Sequence, residues 1–187
     1  MKSSLLSEAF AAGSTWADYL ASAGSHGDAW ETARRAVSLT DAHRATLATF
    51  ERDMRVLIVS GAWCGDCVRQ GPVLAAIADA CERLELRFID RDAPASPIAS
   101  LAINGGHRVP VTVFMAEDGA FVSALGDRTL SYYRWLAAQQ LGPACPVPGA
   151  PIPRDVLASL VKDWMDECER VQLLLRLSPR LRALHGD

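Results

Sequence analysis

The sequence lacks a large excess of charge of either sign. Its 187 residues include 19 Lys and Arg against 22 Asp and Glu, which gives a formal net charge of −3. A protein that binds nucleic acid through its phosphates needs a basic surface, and here the two signs are interspersed. The composition therefore predicts no nucleic-acid partner.

Long apolar runs are also missing. A membrane-spanning helix needs about 20 consecutive apolar residues, and no run in this chain approaches that length. Glu8 interrupts the apolar stretch that a secretory signal peptide would require near the N-terminus. We therefore expect no membrane partner and a cytoplasmic location.

Cysteines are few, and their number is odd. The five cysteines lack the even, dense spacing of a small secreted disulfide framework. Cys81 and Cys168 fall on apolar helix faces and are expected in the core. Cys145 lies in a proline-rich stretch, where an incidental exposed thiol is favoured over a third redox thiol. This leaves Cys64 and Cys67 as the pair with chemical interest.

The patterns divide the chain into three parts. Residues 1–52 contain several helical patterns and no persuasive strand, with Ser14, Asp28 and Thr40 as expected helix caps and a break at AGSHGD, and predict an N-terminal helical extension. Residues 53–142 mix strand and helix patterns. Residues 143–187 start as a proline-rich connector and continue as an amphipathic helix, expected to pack on the core rather than form a dimer surface.

The central part predicts an α/β domain. An apolar run, RVLIVSGAW, is followed by a helical pattern containing Pro72, which should kink the helix or shift its start, and then by the strand ELRFID. Ser96 and Pro97 open a short helix, and a β-hairpin turns at Asp118-Gly119 before a last amphipathic helix.

Three kinds of chemistry fit the Cys64/Cys67 pair. A zinc site needs further ligands, and His43 and His107 stand isolated. Inert structural thiols at a strand–helix junction would be a coincidence. A redox dithiol is favoured, because a cysteine at a helix N-terminus is stabilised as a thiolate by free amides and the helix dipole. The second cysteine, one turn later, can then resolve a mixed disulfide.

The residues AWCGDC after a strand, with RVPVTVF about 45 residues later and then a hairpin, resemble the thioredoxin superfamily. The resemblance covers roughly residues 56–141 in the order βαβαββα. More narrowly, WCGDC with DRTLSYYRWLA and helical extensions at both ends is similar to a bacterial branch of that family. It implies a thioredoxin-like fold, in which helices flank a central mixed sheet, with additional N-terminal and C-terminal helices.

The resemblance also implies roles for individual residues. Cys64 matches the attacking cysteine and Cys67 the buried resolving one. Trp63 matches the tryptophan that offers substrates an apolar surface, and Pro110 matches the cis-proline that faces the dithiol, leaving the Val109 backbone free to pair with an extended substrate. The supporting positions are Gly65 and Asp66 between the cysteines and Gly126 after the last strand.

Two positions depart from the family pattern. The family carries a buried acid where this chain has Ile58 and a lysine where it has Phe88, and these groups help to move protons at the resolving cysteine. Asp90 and Asp92 are candidate substitutes, although ordinary solvated carboxylates are favoured there.

Asp66 stands where the family has proline. Its charge, at about 6 Å from a Cys64 thiolate, would oppose that thiolate by about 0.7–3 kcal/mol and bias the pair toward acting as a reductant. Two other roles stay open, a carboxylate stabilised by the helix N-terminus and a hydrogen-bond acceptor for substrate.

The sequence thus predicts a thiol–disulfide oxidoreductase that acts on protein disulfides through the Cys64–Cys67 pair. It would need no cofactor beyond this redox-active disulfide and no metal. A dithiol donor, either a protein like thioredoxin reductase or a small thiol, would reset it. The alternative is a binding or adaptor module of the same fold, with a weakly active or redox-sensing dithiol.

Overall fold

A computed structural model of the chain describes residues 3–141 and 152–187. Cys145 and most of the proline-rich stretch lie outside these residues. The strands, in chain order, are β1 (Met54–Ser60), β2 (Leu84–Asp90), β3 (Val111–Ala116) and β4 (Phe121–Gly126). The α-helices are α1 (Ser3–Ala11), α2 (Trp16–Ser22), α3 (Gly27–Ala36), α4 (Asp41–Leu47), α5 (Gly65–Asp79), α6 (Leu130–Leu141), α7 (Arg154–Leu177) and α8 (Pro179–His185).

The strands form one mixed sheet in the order β2-β1-β3-β4. β1 runs parallel to β2, whereas β3 is antiparallel to both β1 and β4. β1 and β3 are almost entirely buried, which is typical of central strands covered on both faces. The structure therefore confirms the predicted α/β class and the thioredoxin-like arrangement of a mixed sheet flanked by helices.

The N-terminal residues form four helices, but not all of the predicted caps are right. Thr15, rather than Ser14, caps α2, because the Ser14 backbone pairs instead with Phe88 of β2 through hydrogen bonds of 2.7 and 2.8 Å. Asp28 lies in the first turn of α3 and does not cap it. Thr40 caps α4 as predicted, in a capping box with His43.

The helix after β1 carries the cysteine pair. α5 begins at Gly65 and continues through Pro72, so the predicted shift of its start does not occur. A short 3-10 helix, Pro97–Ser100, is capped by Ser96 as predicted. α7 packs on α4, α5 and α6. The apolar stripe predicted for this helix, from Val156 to Leu175, is buried from Leu160 onward, whereas Val156 is only half-buried.

Cys81 and Cys168 are buried, as predicted. Cys81, however, lies two residues beyond the end of α5 and not on a helix face, because the helix ends at Asp79. Within the described ranges, 3–141 and 152–187, no helix has the length and apolar character required to cross a membrane.

Candidate active site

The two cysteines lie at the start of α5, shortly after the end of β1. Cys64 is the residue that precedes the first turn of α5 and has extended backbone angles (φ −83°, ψ 118°). Its side chain is partly exposed, whereas Cys67, one turn further along the helix, is fully buried. Both are free thiols. The Cys64 sulfur is therefore accessible to a substrate, whereas the Cys67 sulfur is not.

The pKa values of the two thiols are shifted in opposite directions. The hydrogen bond from the Cys67 thiol, with backbone amides of Cys67 and Asp66, lowers the pKa of Cys64 to about 6, against the opposing effect of burial. Burial, together with the neighbouring Cys64 charge, raises the pKa of Cys67 well above its usual range. At neutral pH the pair thus consists of a Cys64 thiolate and a protonated Cys67.

The loop that precedes β3 faces Cys64. The Cys64 Sγ lies 3.5 Å from the Val109 carbonyl oxygen, which accepts a hydrogen bond from the thiol when Cys64 is protonated. The Val109-Pro110 peptide bond is cis. Gly126 packs against this loop, since a Cβ there would lie only 3.0 Å from the Pro110 carbonyl oxygen. Four residues singled out from the sequence therefore lie at one surface: Cys64, Val109, Pro110 and Gly126. Val109 and Gly126 are 45 and 62 positions from Cys64 in the chain.

Trp63 projects beside this surface with 56% of its area exposed. Its indole packs over Gly61, and the Arg91 guanidinium lies 5.9 Å from the ring centroid. Next to it lies a groove of about 610 Å³, bordered by Gly65 and by small apolar side chains of α3, including Ala29 and Ala33. The arrangement places an apolar surface directly beside the reactive sulfur.

Asp66 is held by its own partners. Its carboxylate accepts hydrogen bonds from Arg128 and, at 2.9 Å, from the Tyr132 hydroxyl. Arg69 lies at the edge of ion-pair distance, 4.0 Å away. The Asp66 charge does raise the pKa of Cys64, but the donors to the thiolate outweigh it, so the net shift is downward. The carboxylate therefore mainly ties the first turn of α5 to α6.

A second carboxylate completes this polar cluster and was not foreseen from the sequence. Asp127 is only 3% exposed and accepts hydrogen bonds from Arg108, at 3.0 Å, and from the Tyr133 hydroxyl. These contacts hold the pKa of Asp127 below its usual value in spite of burial. The cluster fastens the residue before Val109 to the start of α6.

The interior behind the dithiol is apolar at the two positions that depart from the family pattern. Ile58 and Phe88 are both fully buried and are direct partners in the β1–β2 register. Asp90 is exposed, and its carboxylate accepts the backbone N–H of Asp92. Neither carboxylate takes the buried position that Ile58 fills.

The N-terminal helices also reach the site, which sequence reasoning missed. The Trp30 indole N–H donates to the Ala62 carbonyl oxygen at 2.9 Å, directly before Trp63. The Tyr19 hydroxyl donates to Ser60, the last residue of β1, at 3.0 Å. The available signal was the concentration of aromatic residues in α2 and α3, which is unusual for a surface appendage.

Among the described residues, no group of three or more His, Cys, Asp or Glu side chains is arranged to hold a metal ion. The chemistry that the site offers is that of a thiolate, a buried thiol and a free backbone segment beside them.

A family model described as Thioredoxin matches residues 13–139. Among solved structures, a Pseudomonas aeruginosa protein of unknown function is 20% identical, with 87% of this chain and 96% of that chain covered and a TM-score of 0.68. An HIV epitope-scaffold is 17% identical, with 87% of this chain and 97% of that chain covered and a TM-score of 0.62. These two likenesses show the fold alone. No curated protein matches the sequence.

Proposed function

We propose that this chain, which belongs to the thioredoxin family by its match over residues 13–139, reduces or exchanges disulfides in protein substrates. The observation that carries the proposal is the asymmetry of the dithiol: a partly exposed Cys64 with a pKa of about 6 above a fully buried, protonated Cys67. An attacking thiolate and a resolving thiol need these two environments.

The reaction proceeds in two exchange steps. The Cys64 thiolate attacks one sulfur of the substrate disulfide, forms a Cys64–substrate bond and releases the other substrate sulfur as a thiolate. Cys67 then attacks the Cys64 sulfur and releases the second substrate thiolate, while the proton of Cys67 passes to a departing thiolate. Two electrons move to the substrate, and the Cys64–Cys67 pair becomes a disulfide.

The surroundings of Cys64 support a protein substrate. The Val109 backbone lies beside the reactive sulfur and offers an extended segment a position for strand-like pairing. Trp63 and the groove next to it supply apolar surface for the flanking side chains. A dithiol donor, whether a reductase-like protein or a small thiol, returns the enzyme to its reduced form.

Insulin reduction by dithiothreitol tests the proposal. Wild type should accelerate the appearance of insulin precipitate above the background rate, and Cys64→Ser should abolish the acceleration. Cys81→Ser, which removes a buried thiol elsewhere in the core, is the matched control and should keep it. A Cys64→Ser variant as fast as wild type, or a wild type at background, refutes the proposal.

A Cys67→Ser variant should trap the substrate, because the mixed disulfide on Cys64 can no longer be resolved. Reductant-sensitive adducts that form with Cys67→Ser, but not with the Cys64→Ser/Cys67→Ser double variant, would give the substrate directly.

One observation favours a second candidate, an adaptor of the same fold with a redox-sensing dithiol. The apolar Ile58–Phe88 pair leaves the interior without the family's proton-transfer groups. The reduction potential of the pair separates the two functions, because known exchange catalysts span roughly −120 to −270 mV. A value far outside that span favours the adaptor.

A further inference from the structure

Two buried hydroxyls stand directly behind the resolving cysteine. Ser60, the last residue of β1, is fully buried, and its hydroxyl is one of the groups that lower the pKa of the buried Cys67 thiol. The Tyr19 hydroxyl, supplied by α2, donates to the Ser60 Oγ at 3.0 Å. The three groups therefore form a continuous chain from the N-terminal helices to the dithiol.

Aromatic packing fixes the outer end of this chain. Tyr19 is only 4% exposed. Its ring stacks on Phe88 at a centroid distance of 5.0 Å and meets the edge of Trp30 at 5.2 Å. A hydroxyl held this firmly loses little conformational freedom when it forms its hydrogen bond, so the chain is organised in advance of the reaction.

The second exchange step creates a need for such donors. Cys67 must lose its proton to attack, and a thiolate in an apolar interior is strongly disfavoured without hydrogen-bond donors. Burial raises the pKa of Cys67, whereas the Ser60 hydroxyl and the Gly61 backbone amide lower it. With Ile58 where the family has its acid, the donors to the sulfur come from the last residue of β1 and the residue that follows it.

We propose that Tyr19 and Ser60 form a hydroxyl chain that stabilises the Cys67 thiolate during resolution of the mixed disulfide, in place of the missing buried acid. The inference rests on the proposed function. The Ser60 hydroxyl acts on the reacting sulfur, and Tyr19 is a positioning residue that acts through Ser60. The Cys67 proton leaves with a departing substrate thiolate, so no further reactant is needed.

Among the described residues, two other titratable groups act on the hydroxyls of Tyr19 and Ser60 or on Cys67. Cys64 faces Cys67 from the same helix, and its charge disfavours a second thiolate. Asp90 of β2, the register partner of Ser60, acts on Tyr19 and, with burial as the larger cause, raises the pKa of that phenol. Tyr19 therefore stays protonated and remains a donor over the working range of pH.

Stopped-flow reaction with dithiobisnitrobenzoate separates the two steps. Attack by Cys64 releases the first nitrothiophenolate, and attack by Cys67 releases the second. The experiment uses the reduced full chain in a Cys145→Ser background, so that the remaining thiols, Cys81 and Cys168, are buried. Tyr19→Phe keeps the ring and removes the hydroxyl, Ser60→Ala removes the serine hydroxyl that lowers the Cys67 pKa, and Ser60→Thr restores a hydroxyl.

We expect Ser60→Ala and Tyr19→Phe to slow the second release about tenfold at neutral pH while the first release stays within about twofold of wild type. The pH at which the second release reaches half its maximal rate should move upward in both. Ser60→Thr should recover most of the rate. Ser123→Ala, which removes a hydroxyl bonded to Glu167, is the matched control and should behave as wild type.

A second release with the wild-type rate and pH profile in both variants overturns the inference. Equal slowing of both releases also overturns it, because a merely structural defect would affect both thiols. If Ser60→Ala does not fold, Tyr19→Phe decides alone. A wild type that releases no nitrothiophenolate refutes the proposed function and the inference together, whereas unchanged variants of an active wild type refute the inference only.

Discussion

Arg128 binds the carboxylate of Asp66 beside the dithiol, although the two residues are 62 positions apart in the chain. The Tyr132 hydroxyl binds the other oxygen of the same carboxylate. Arg128 thereby partly neutralises the Asp66 charge that would otherwise act on the Cys64 thiolate. The same contacts fasten the first turn of α5 to the segment that follows β4.

Removal of the Arg128 guanidinium should make the Cys64 thiolate less stable relative to the thiol. In Arg128→Ala the Asp66 charge loses its partner, so we expect the pKa of Cys64 to rise from about 6 by about one unit. Asp66→Asn should move the pKa in the opposite direction. The pH dependence of iodoacetamide alkylation at Cys64, read by peptide mass spectrometry, measures both. Arg128→Lys, which keeps the charge, is the control, and an unchanged profile in Arg128→Ala would contradict this account.

The hydrogen bond from Cys67 is the largest cause of the low pKa of Cys64. Cys67→Ala should therefore raise the Cys64 pKa toward its ordinary value, and the fraction of reactive thiolate at neutral pH should fall. Wild-type alkylation should reach half its maximal rate near pH 6, whereas the Cys67→Ala profile should lie at clearly higher pH. Cys67→Ser keeps a donor and should fall between the two. Coincident profiles for wild type and Cys67→Ala would show that the low pKa has another origin.

Gly71 lets α3 approach the helix that carries the dithiol. A Cβ at this position would lie 2.5 Å from the buried Trp30 ring. Gly71→Ala should therefore lower the free energy of unfolding by about 1–3 kcal/mol, because the ring has no free space to move into. Urea unfolding followed by circular dichroism measures the loss. Gly27→Ala, whose Cβ would meet its nearest neighbour at 3.7 Å, should unfold as wild type does, and equal stability of all three proteins would refute the contact.

Gly126 keeps the Pro110 loop in place beside Cys64. In Gly126→Ala the new Cβ would lie 2.8 Å from the Ile103 Cδ1 and 3.0 Å from the Pro110 carbonyl oxygen, so the loop must move. We expect kcat/KM for insulin reduction to fall about tenfold, with alkylation of Cys64 unchanged. Gly106→Ala, with its nearest contact at 3.7 Å, is the control. A Gly126→Ala variant with full activity would show that the loop tolerates displacement.

The parts of the site that could be predicted from the sequence are those set by local pattern or by the family motif. The cysteine pair follows an apolar strand and precedes a helical pattern, so its place at a helix N-terminus could be derived from the residues alone. The order of strands and helices along the chain could also be predicted from the residue patterns, whereas the approach of the Val109-Pro110 segment to Cys64 came from the resemblance. Thr40 was correctly predicted as a helix cap, whereas the Ser14 backbone pairs with β2 and α3 starts before Asp28, earlier than its residue pattern indicates.

The polar surroundings could not be predicted, because their partners meet only in the folded chain. Nothing near Asp66 in sequence indicates that Arg128 and Tyr132 bind it. The hydroxyl of Tyr19 reaches Ser60 across 41 positions. Spacing rules identify the buried face of a helix, but they do not identify which atom on that face finds which partner.

The pairing of Ser14 with Phe88 has a consequence for self-association. β2 is an outer strand of the sheet, and an exposed outer strand offers free backbone groups to a second molecule. The two hydrogen bonds between Ser14 and Phe88, one donated by each backbone N–H, occupy the backbone of Phe88 within that strand. These bonds prevent a continuous ladder of backbone hydrogen bonds between the β2 edges of two molecules. The N-terminal segment thereby protects the protein against edge-to-edge aggregation.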